Sequence, residues 1–314
     1  MKLFGTMEIR ENELFIGGVS TTNLVKKYKS PLYVMDEQLL RDICRNYYKC
    51  FKCNEDNRVA FAGKAFLTLE MCRLIHEEGL NLDVVSGGEL YAAYMAGFPM
   101  EKVYFHGNNK TLDEIKRETG HEIRELDLGG GFGVYYTETD KPRSIEEYCS
   151  AILNKVNEIC ERLGLVKPIL TIEPGRSIVG NAGTTLYTIG AIKEIKNVRK
   201  YVSVDGGMTD NIRPALYEAK YDMSIVDKLN EPADEKVTIA GKCCESGDIL
   251  MKDIYIQKPE RGDILAVFTT GAYGFSMFSN YNKNVRPAVV FVGNGKEKVV
   301  SKRQDYKDLL GLEI

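Results

Sequence analysis

Nowhere in the 314 residues does an uninterrupted apolar run reach the ~18 to 20 residues that a membrane-crossing helix needs. The opening stretch, MKLFGTMEIRENELFIGG, also lacks an apolar segment of signal-peptide length, so a cytoplasmic protein is expected. A basic field is missing too. With 42 Lys and Arg against 45 Asp and Glu, the net charge is -3 and the pI near 5.8. Such a surface does not draw in phosphate backbones or anionic lipid, which excludes nucleic acid and membrane as expected partners and leaves small molecules. The eight cysteines are spread along the chain rather than gathered in a small framework, which suits reduced thiols. Cys50 and Cys53, in CFKC, have zinc or redox spacing, but no second pair completes a set, so no metal is expected. No Pro-rich or Gly/Ser-rich linker, repeat or low-complexity segment divides the chain.

What is present is enough apolar sequence, 44% of residues, for one large domain or two moderate ones sharing a broad interface. From about 31 to 180, short β-rich runs alternate with helical patterns: PLYVMD, RVAFAGK, LNLDVVS, KVYFHG, EIRELDLGGG and PILTIEPG read as strands. Between them, TLEMCRLIHEEG places Leu67, Met71 and Leu74 on one face and stops at Gly79, and SIEEYCSAILNKVNEICERLG repeats the pattern at greater length. These spacings predict crossover helices on a parallel βα barrel. After Gly180 the runs TLYTIGAIKEI, KYVSVDGG, KVTIAGKCCESGDIL, GDILAVFTTGAYG and PAVVFVGNGKEKVV predict an antiparallel sheet, so the expected division is a barrel domain at 31–180 and a β-domain from 1–30 and 181–314.

Lys64 ends the RVAFAGK strand and precedes a helix, where α/β barrels carry their catalytic groups. A desolvated lysine of lowered pKa is what a Schiff base with an aldehyde requires; the competing reading is a lysine snorkelling at a strand mouth. Two further elements end strands in the same half. DLGGGFG, from Asp127 to Gly133, suits an anion, although Val134 breaks the dinucleotide-type glycine pattern and the segment also reads as a plain turn. IEPGRS sets a carboxylate, a rigid turn and a guanidinium within four residues, fit to protonate a pyridine nitrogen while holding an anion, or to form a surface ion pair. In the β-domain, GKCCESGD carries Cys243, Cys244, Glu245 and Asp248, whose thiols serve as acid, nucleophile or packing. NIRPALY supplies Arg213 and Tyr217, and TTGAYGFS supplies Tyr273.

Taken in order, FAGKAF, DVVSGGELY, FHGN, DLGGGFG, IEPGRS, NIRPALY, CCESGD and GAYG resemble the diaminopimelate decarboxylases, pyridoxal-phosphate (PLP) enzymes of the alanine-racemase-like barrel fold, over nearly the whole chain. CCESGD together with EPGRS favours them over the related ornithine and arginine decarboxylases. The resemblance implies that Lys64 holds PLP, that Gly130, Gly131 and the backbone of Glu173, Pro174, Gly175 and Arg176 cradle its phosphate beside Tyr273, and that Glu173 faces the pyridine nitrogen. It further implies that Arg176, Arg213 and Tyr217 hold the distal carboxylate of the substrate, that Glu245 reads the distal amine, and that Cys244 protonates the α-carbon. In this family the last two act in the partner subunit's site, which implies a homodimer.

The sequence departs from the family in one respect. A closed barrel has eight strands, and with PLYVMD set aside as a lead-in only five remain, a shortfall of roughly 90 residues or more if each βα unit takes about 30. The join is expected inside TLDEIKRETGHEIREL, near Arg117 and Glu118. The strand that supplies the family's PLP-stacking histidine and a phosphate-binding serine falls in that gap. Of His76, His106 and His121, His106 belongs to a motif that matches another strand, and the stacking role is not transferred to it. Three readings stay open: a diaminopimelate decarboxylase, active or impaired; a relative acting on ornithine or arginine; and a PLP-binding remnant without activity.

Overall fold

The computed structural model describes residues 2–52, 56–106, 125–164 and 166–313. The expected join at Arg117 and Glu118 lies outside the described residues, as do Cys53 and His121. The chain forms two compact units: one from residues 1–40, 134–141 and 179–314, the other from 41–133 and 142–178.

The second unit is built on five parallel strands in the order Val103–Phe105, Asn81–Val84, Arg58–Ala62, Ile169–Ile172, Glu125–Asp127. Each coincides with a strand expected from the sequence. Helices Leu69–Glu77, Gly87–Ala96 and Ile145–Leu163 supply crossovers. Their starts are fixed by side-chain caps: Thr68 accepts from the Met71 amide, Ser86 from Glu89, and Ser144 forms a reciprocal box with Glu147. Gly97 and Gly164 end two of them in the left-handed region, where a side chain would be strained. The three inner strands are buried along most of their length, as a sheet covered on both faces demands, whereas Val103–Phe105 and Glu125–Asp127 at its edges are partly to fully exposed. Among the described residues, the outer strands Val103–Phe105 and Glu125–Asp127 do not pair with each other.

The first unit contains a nine-stranded sheet and a three-stranded one. Leu32–Asp36, expected as a lead-in to the barrel, is instead a fully buried strand of the large sheet, antiparallel to Gly183–Ile195 and parallel to Ala288–Gly293. Residues 134–141 join this unit as well, so its boundaries differ from 1–30 and 181–314. The expected antiparallel pairing holds for most neighbours, but Arg199–Val204 runs parallel to Glu235–Ala240, and Leu32–Asp36 to Ala288–Gly293. In both cases the partners are far apart in sequence, so no tight hairpin dictates their direction.

Gly183–Ile195 organises the sheet. Its register shifts between Ile189 and Ile192; the earlier part pairs with Leu32–Asp36 and Ile264–Val267, and the later part with Arg199–Val204. Because successive side chains on a strand point to opposite faces, Leu186 enters one hydrophobic core with Leu14, Val34 and Val290, while Tyr187 enters another with Val202, Ile239 and Leu250.

Candidate active site

In the parallel-sheet unit the chemistry gathers at the carboxyl ends of the strands. Lys64 sits on a single turn, Gly63–Ala65, directly after Arg58–Ala62, between two buried neighbours. The sequence suggested a desolvated amine. In the structure Lys64 is exposed, because the turn lifts it out of the strand's buried line.

The two glycine-containing elements lie against each other. Glu173 donates its amide to the Gly129 carbonyl at 2.8 Å, and Leu128 donates to Thr171. A Cβ on Gly130 would stand 2.4 Å from the Glu173 carbonyl oxygen, so only glycine permits this backbone contact. Gly175 packs as closely on the Lys64 segment: a Cβ there would meet those of Ala62 and Ala65 at 3.0 and 3.1 Å. Lys64, DLGGGFG and IEPGRS thus converge, as expected. Pro174 accepts the Ala62 amide at 3.3 Å, and Arg176 opens the short helix Arg176–Val179 at the same strand end.

Glu173 is 8% exposed and its Oε1 has no hydrogen-bond partner among the described residues. Burial holds its carboxyl well above the usual range, Asp83 and Asp127 push it the same way, and Lys64 opposes them. Asp83, at the end of Asn81–Val84, is raised by burial too, and neither of its oxygens finds a hydrogen bond among the described residues. His106, which follows Val103–Phe105 and is fixed by its amide's bond to the Val84 carbonyl, brings Nδ1 to 3.0 Å from Glu173 Oε1 and 3.5 Å from Asp83 Oδ1. Asp83 was not singled out from the sequence, His106 was weighed there only for the stacking role, and Asp127 was named only as the start of the glycine turn. The one available signal was a carboxylate in the otherwise apolar LNLDVVS.

These residues fit PLP. A buried carboxylate oxygen without a donor matches a protonated ring nitrogen, and a turn in which glycine is obligatory leaves backbone amides for a phosphate.

The sheet unit carries the other expected residues. Arg213 is buried and donates to the hydroxyls of Tyr136 at 2.8 Å and Tyr221 at 2.9 Å, with its guanidinium 5.9 Å from the Tyr273 ring centre. Tyr217, one helical turn on, is exposed. Tyr273 has a φ of +60°, a left-handed conformation that a non-glycine residue adopts at some cost. Cys244 and Glu245 are exposed on a loop centred on buried Asp248, which accepts the amides of Met208 at 2.6 Å and Cys243 at 2.7 Å. Cys244 donates its amide to Asn282 Oδ1 at 2.9 Å. The Cys243 thiol is pushed up to about 11, first by burial and then by Asp248, which makes it a poor acid.

Over residues 32–271 the chain matches the profile of a family described as pyridoxal-dependent decarboxylase, C-terminal sheet domain. It is 39% identical to the diaminopimelate decarboxylase of Bacillus subtilis (strain 168), over 100% of this chain and 98% of that protein. It is 35% identical to that of Staphylococcus aureus (strain COL), over 97% and 99%. Among solved structures it is similar to the diaminopimelate decarboxylase of M. jannaschii in co-complex with L-lysine, with a TM-score of 0.89, 28% identity and 98% of each chain covered. The B. subtilis alignment spans 433 positions and this chain has 314 residues, so more than a hundred of those positions face no residue here. No helix among the described residues is long and apolar enough to cross a membrane.

Proposed function

The chain belongs to the pyridoxal-dependent decarboxylases, and from its site residues we propose that it converts meso-diaminopimelate to L-lysine and carbon dioxide with PLP as cofactor, the last reaction of lysine biosynthesis. The observation that carries this reading is Glu173: a buried carboxylate whose Oε1 makes no hydrogen bond among the described residues, at the strand end next to Lys64. PLP supplies an electron sink for the pair left behind when carbon dioxide departs. Lys64 offers its exposed amine as the covalent anchor. Glu173 would accept the ring N–H and keep that nitrogen protonated, and Gly130, Gly131 and the backbone from Glu173 to Arg176, together with Tyr273, would receive the phosphate.

Arg176, Arg213 and Tyr217 bind the distal carboxylate and Glu245 the distal amine, so a substrate with both groups is preferred over ornithine. The buried Arg213, held by two tyrosine hydroxyls, supports a fixed carboxylate position. Cys244 gives the proton to the α-carbon from its Sγ. Cys244 and Glu245 complete the site of a second copy, making the working unit a homodimer, and the enzyme acts in the cytoplasm. Incubating the purified chain with PLP and meso-diaminopimelate, ornithine or arginine tests this: lysine release from the first substrate alone is expected, and equal turnover of ornithine would overturn the assignment.

A further inference from the structure

Asp83 is 1% exposed, and neither of its carboxylate oxygens has a hydrogen-bond donor among the described residues; Glu173 Oε1 is likewise unpartnered. Ionised in this state, two buried carboxylates would cost several kcal/mol each, which is why burial raises both carboxyls; a positive charge between them would let both ionise. Two cations face the pair: Lys64 acts on both carboxylates through charge alone, with no hydrogen bond to Asp83 or to Glu173 Oε1, and His106 Nδ1 can present one proton, which cannot serve Glu173 Oε1 at 3.0 Å and Asp83 Oδ1 at 3.5 Å equally well. A single divalent ion serves both.

We propose that Asp83, His106 and Glu173 form a site for a divalent transition-metal ion of the Zn²⁺ or Co²⁺ class, and that this ion and PLP exclude each other because both engage Glu173. One oxygen or nitrogen from each residue lies within 4.8 Å of the others. Ligands about 2.0 to 2.2 Å from a tetrahedral ion stand roughly 3.3 to 3.6 Å apart; Asp83 Oδ1 lies at that spacing from Nδ1, 3.5 Å, and Glu173 Oε1, at 3.0 Å, would move outward by a few tenths of an ångström. The donor set, one imidazole and two carboxylates, favours zinc, cobalt or manganese over calcium or magnesium. With Nδ1 on the ion, the other ring nitrogen faces Asp127: Nε2 and Oδ2 are 3.9 Å apart. At that distance the two are not hydrogen-bonded, but Asp127 stands where the carboxylate behind a ligating histidine usually lies and could take Nε2–H after a small approach. Three protein ligands leave a fourth position for water or a small anion, and His106, about one-third exposed, opens that side to solvent. The three residues come from separate strand ends, which is why no sequence spacing betrays the set.

The site goes beyond the decarboxylase reading and is tested without it. The chain, stripped with a chelator and free of PLP, is titrated with Co²⁺ and followed by the visible absorption of a tetrahedral centre, then with Zn²⁺ by calorimetry. One ion per chain is expected. His106→Ala and Asp83→Asn should each weaken binding by more than about a hundredfold, since even outer-shell losses cost 10- to 100-fold. Lys64→Ala, which removes the cofactor anchor but no ligand, should still bind one Co²⁺ per chain and no more weakly than the parent, since it takes a competing positive charge away from both carboxylates. Added PLP should release the ion from the parent chain. Absence of a Co²⁺ spectrum, or a His106→Ala chain of unchanged circular dichroism that binds as tightly as the parent, would overturn the site. Simultaneous binding of ion and cofactor would overturn their exclusion. A chain that binds Co²⁺ but forms no covalent PLP adduct would fail the decarboxylase reading alone.

Discussion

His106 Nε2 and Asp127 Oδ2 stand 3.9 Å apart although the strands they terminate are the two outer strands of the five-stranded sheet. A flat sheet of five strands at about 4.8 Å spacing would separate its outer members by nearly 20 Å. The sheet therefore curls at its carboxyl end and brings the side chains together without pairing the backbones. The site cluster is a product of that curl.

Lys64 is the lysine that ends a strand beside both glycine-bearing turns. After incubation with PLP and reduction by borohydride, mass spectrometry should find the cofactor on the peptide containing residue 64. Lys64→Ala should lose the adduct entirely, and an equal yield in that variant would remove Lys64 from its role.

The contact of Gly130 with Glu173 permits no Cβ, since the obstructing atom is a backbone oxygen 2.4 Å away. Gly130→Ala should push the phosphate turn off the Glu173 segment, lowering stability by about 1 to 3 kcal/mol and weakening PLP more than that of a Gly133→Ala control. At Gly133 the nearest atoms would be side chains at 3.5 and 3.7 Å, an ordinary contact. Thermal melting and cofactor titration of the two variants measure the difference.

Cys244 and Glu245 are exposed on the sheet unit, and a site completed in a second copy makes a definite prediction for mixtures. Lys64→Ala and Cys244→Ala chains, each inactive alone, should regain part of the parent's activity when dissociated together and reassembled, because one of the two hybrid sites has both groups intact. No recovery from a mixture that forms mixed dimers would show that both residues serve the same chain.

Asp210 is buried in the sheet unit, and its carboxyl is raised to about 7, mainly by burial, with Asp248 adding to the rise and bonds from Tyr187, Gly207 and Thr209 opposing it. Tyr33, Cys243 and Arg303 also interact electrostatically with it. In the unfolded chain an aspartate titrates at about 3.9. Between these values the folded state binds more protons than the unfolded one, so stability from this group is fully present below about pH 4 and is lost as the pH rises to about 7. The loss amounts to a few kcal/mol. Denaturant melts across that range should show a smaller decline for Asp210→Asn than for the parent; parallel declines would mean that Asp210 ionises at its ordinary value.

The barrel shortening expected from the sequence bears on rate. Five parallel strands do not enclose the layered interior that eight do, and a shift of about 1 Å in catalytic geometry costs on the order of a hundredfold. The strand that carries the family's stacking histidine is expected from the sequence to be missing, and no such strand is found among the described residues. Turnover well below that of a full-length relative, together with weak PLP affinity, is expected in a lysine-release assay run side by side. Equal turnover would mean that the curled five-stranded sheet builds a complete site.

Much of this was legible in the sequence because the relevant signals are local. Apolar runs ending in Lys64, Asp127 and Glu173 gave the parallel strands, and the glycines at 129 to 131 marked the turn. What was not legible depends on pairing between distant segments. Leu32–Asp36 is buried at every position, a pattern equally suited to a barrel strand or a sheet centre, and only its partners at 183–186 and 288–292 decide. The meeting of Asp83, His106 and Glu173 likewise follows from strand order and curl. Lys64 was expected to be desolvated because the run around it is apolar, and the single turn that exposes it has no distinct sequence mark.

Gly183–Ile195 sends Leu186 into one core and Tyr187 into the other, so the two hydrophobic clusters of the sheet unit share one continuous backbone segment as a common wall. Neither cluster can lose order without withdrawing that wall from its neighbour. Partly unfolded forms with one cluster intact are thereby disfavoured, and the unit is built to melt as a single cooperative block in which damage on one face is felt on the other.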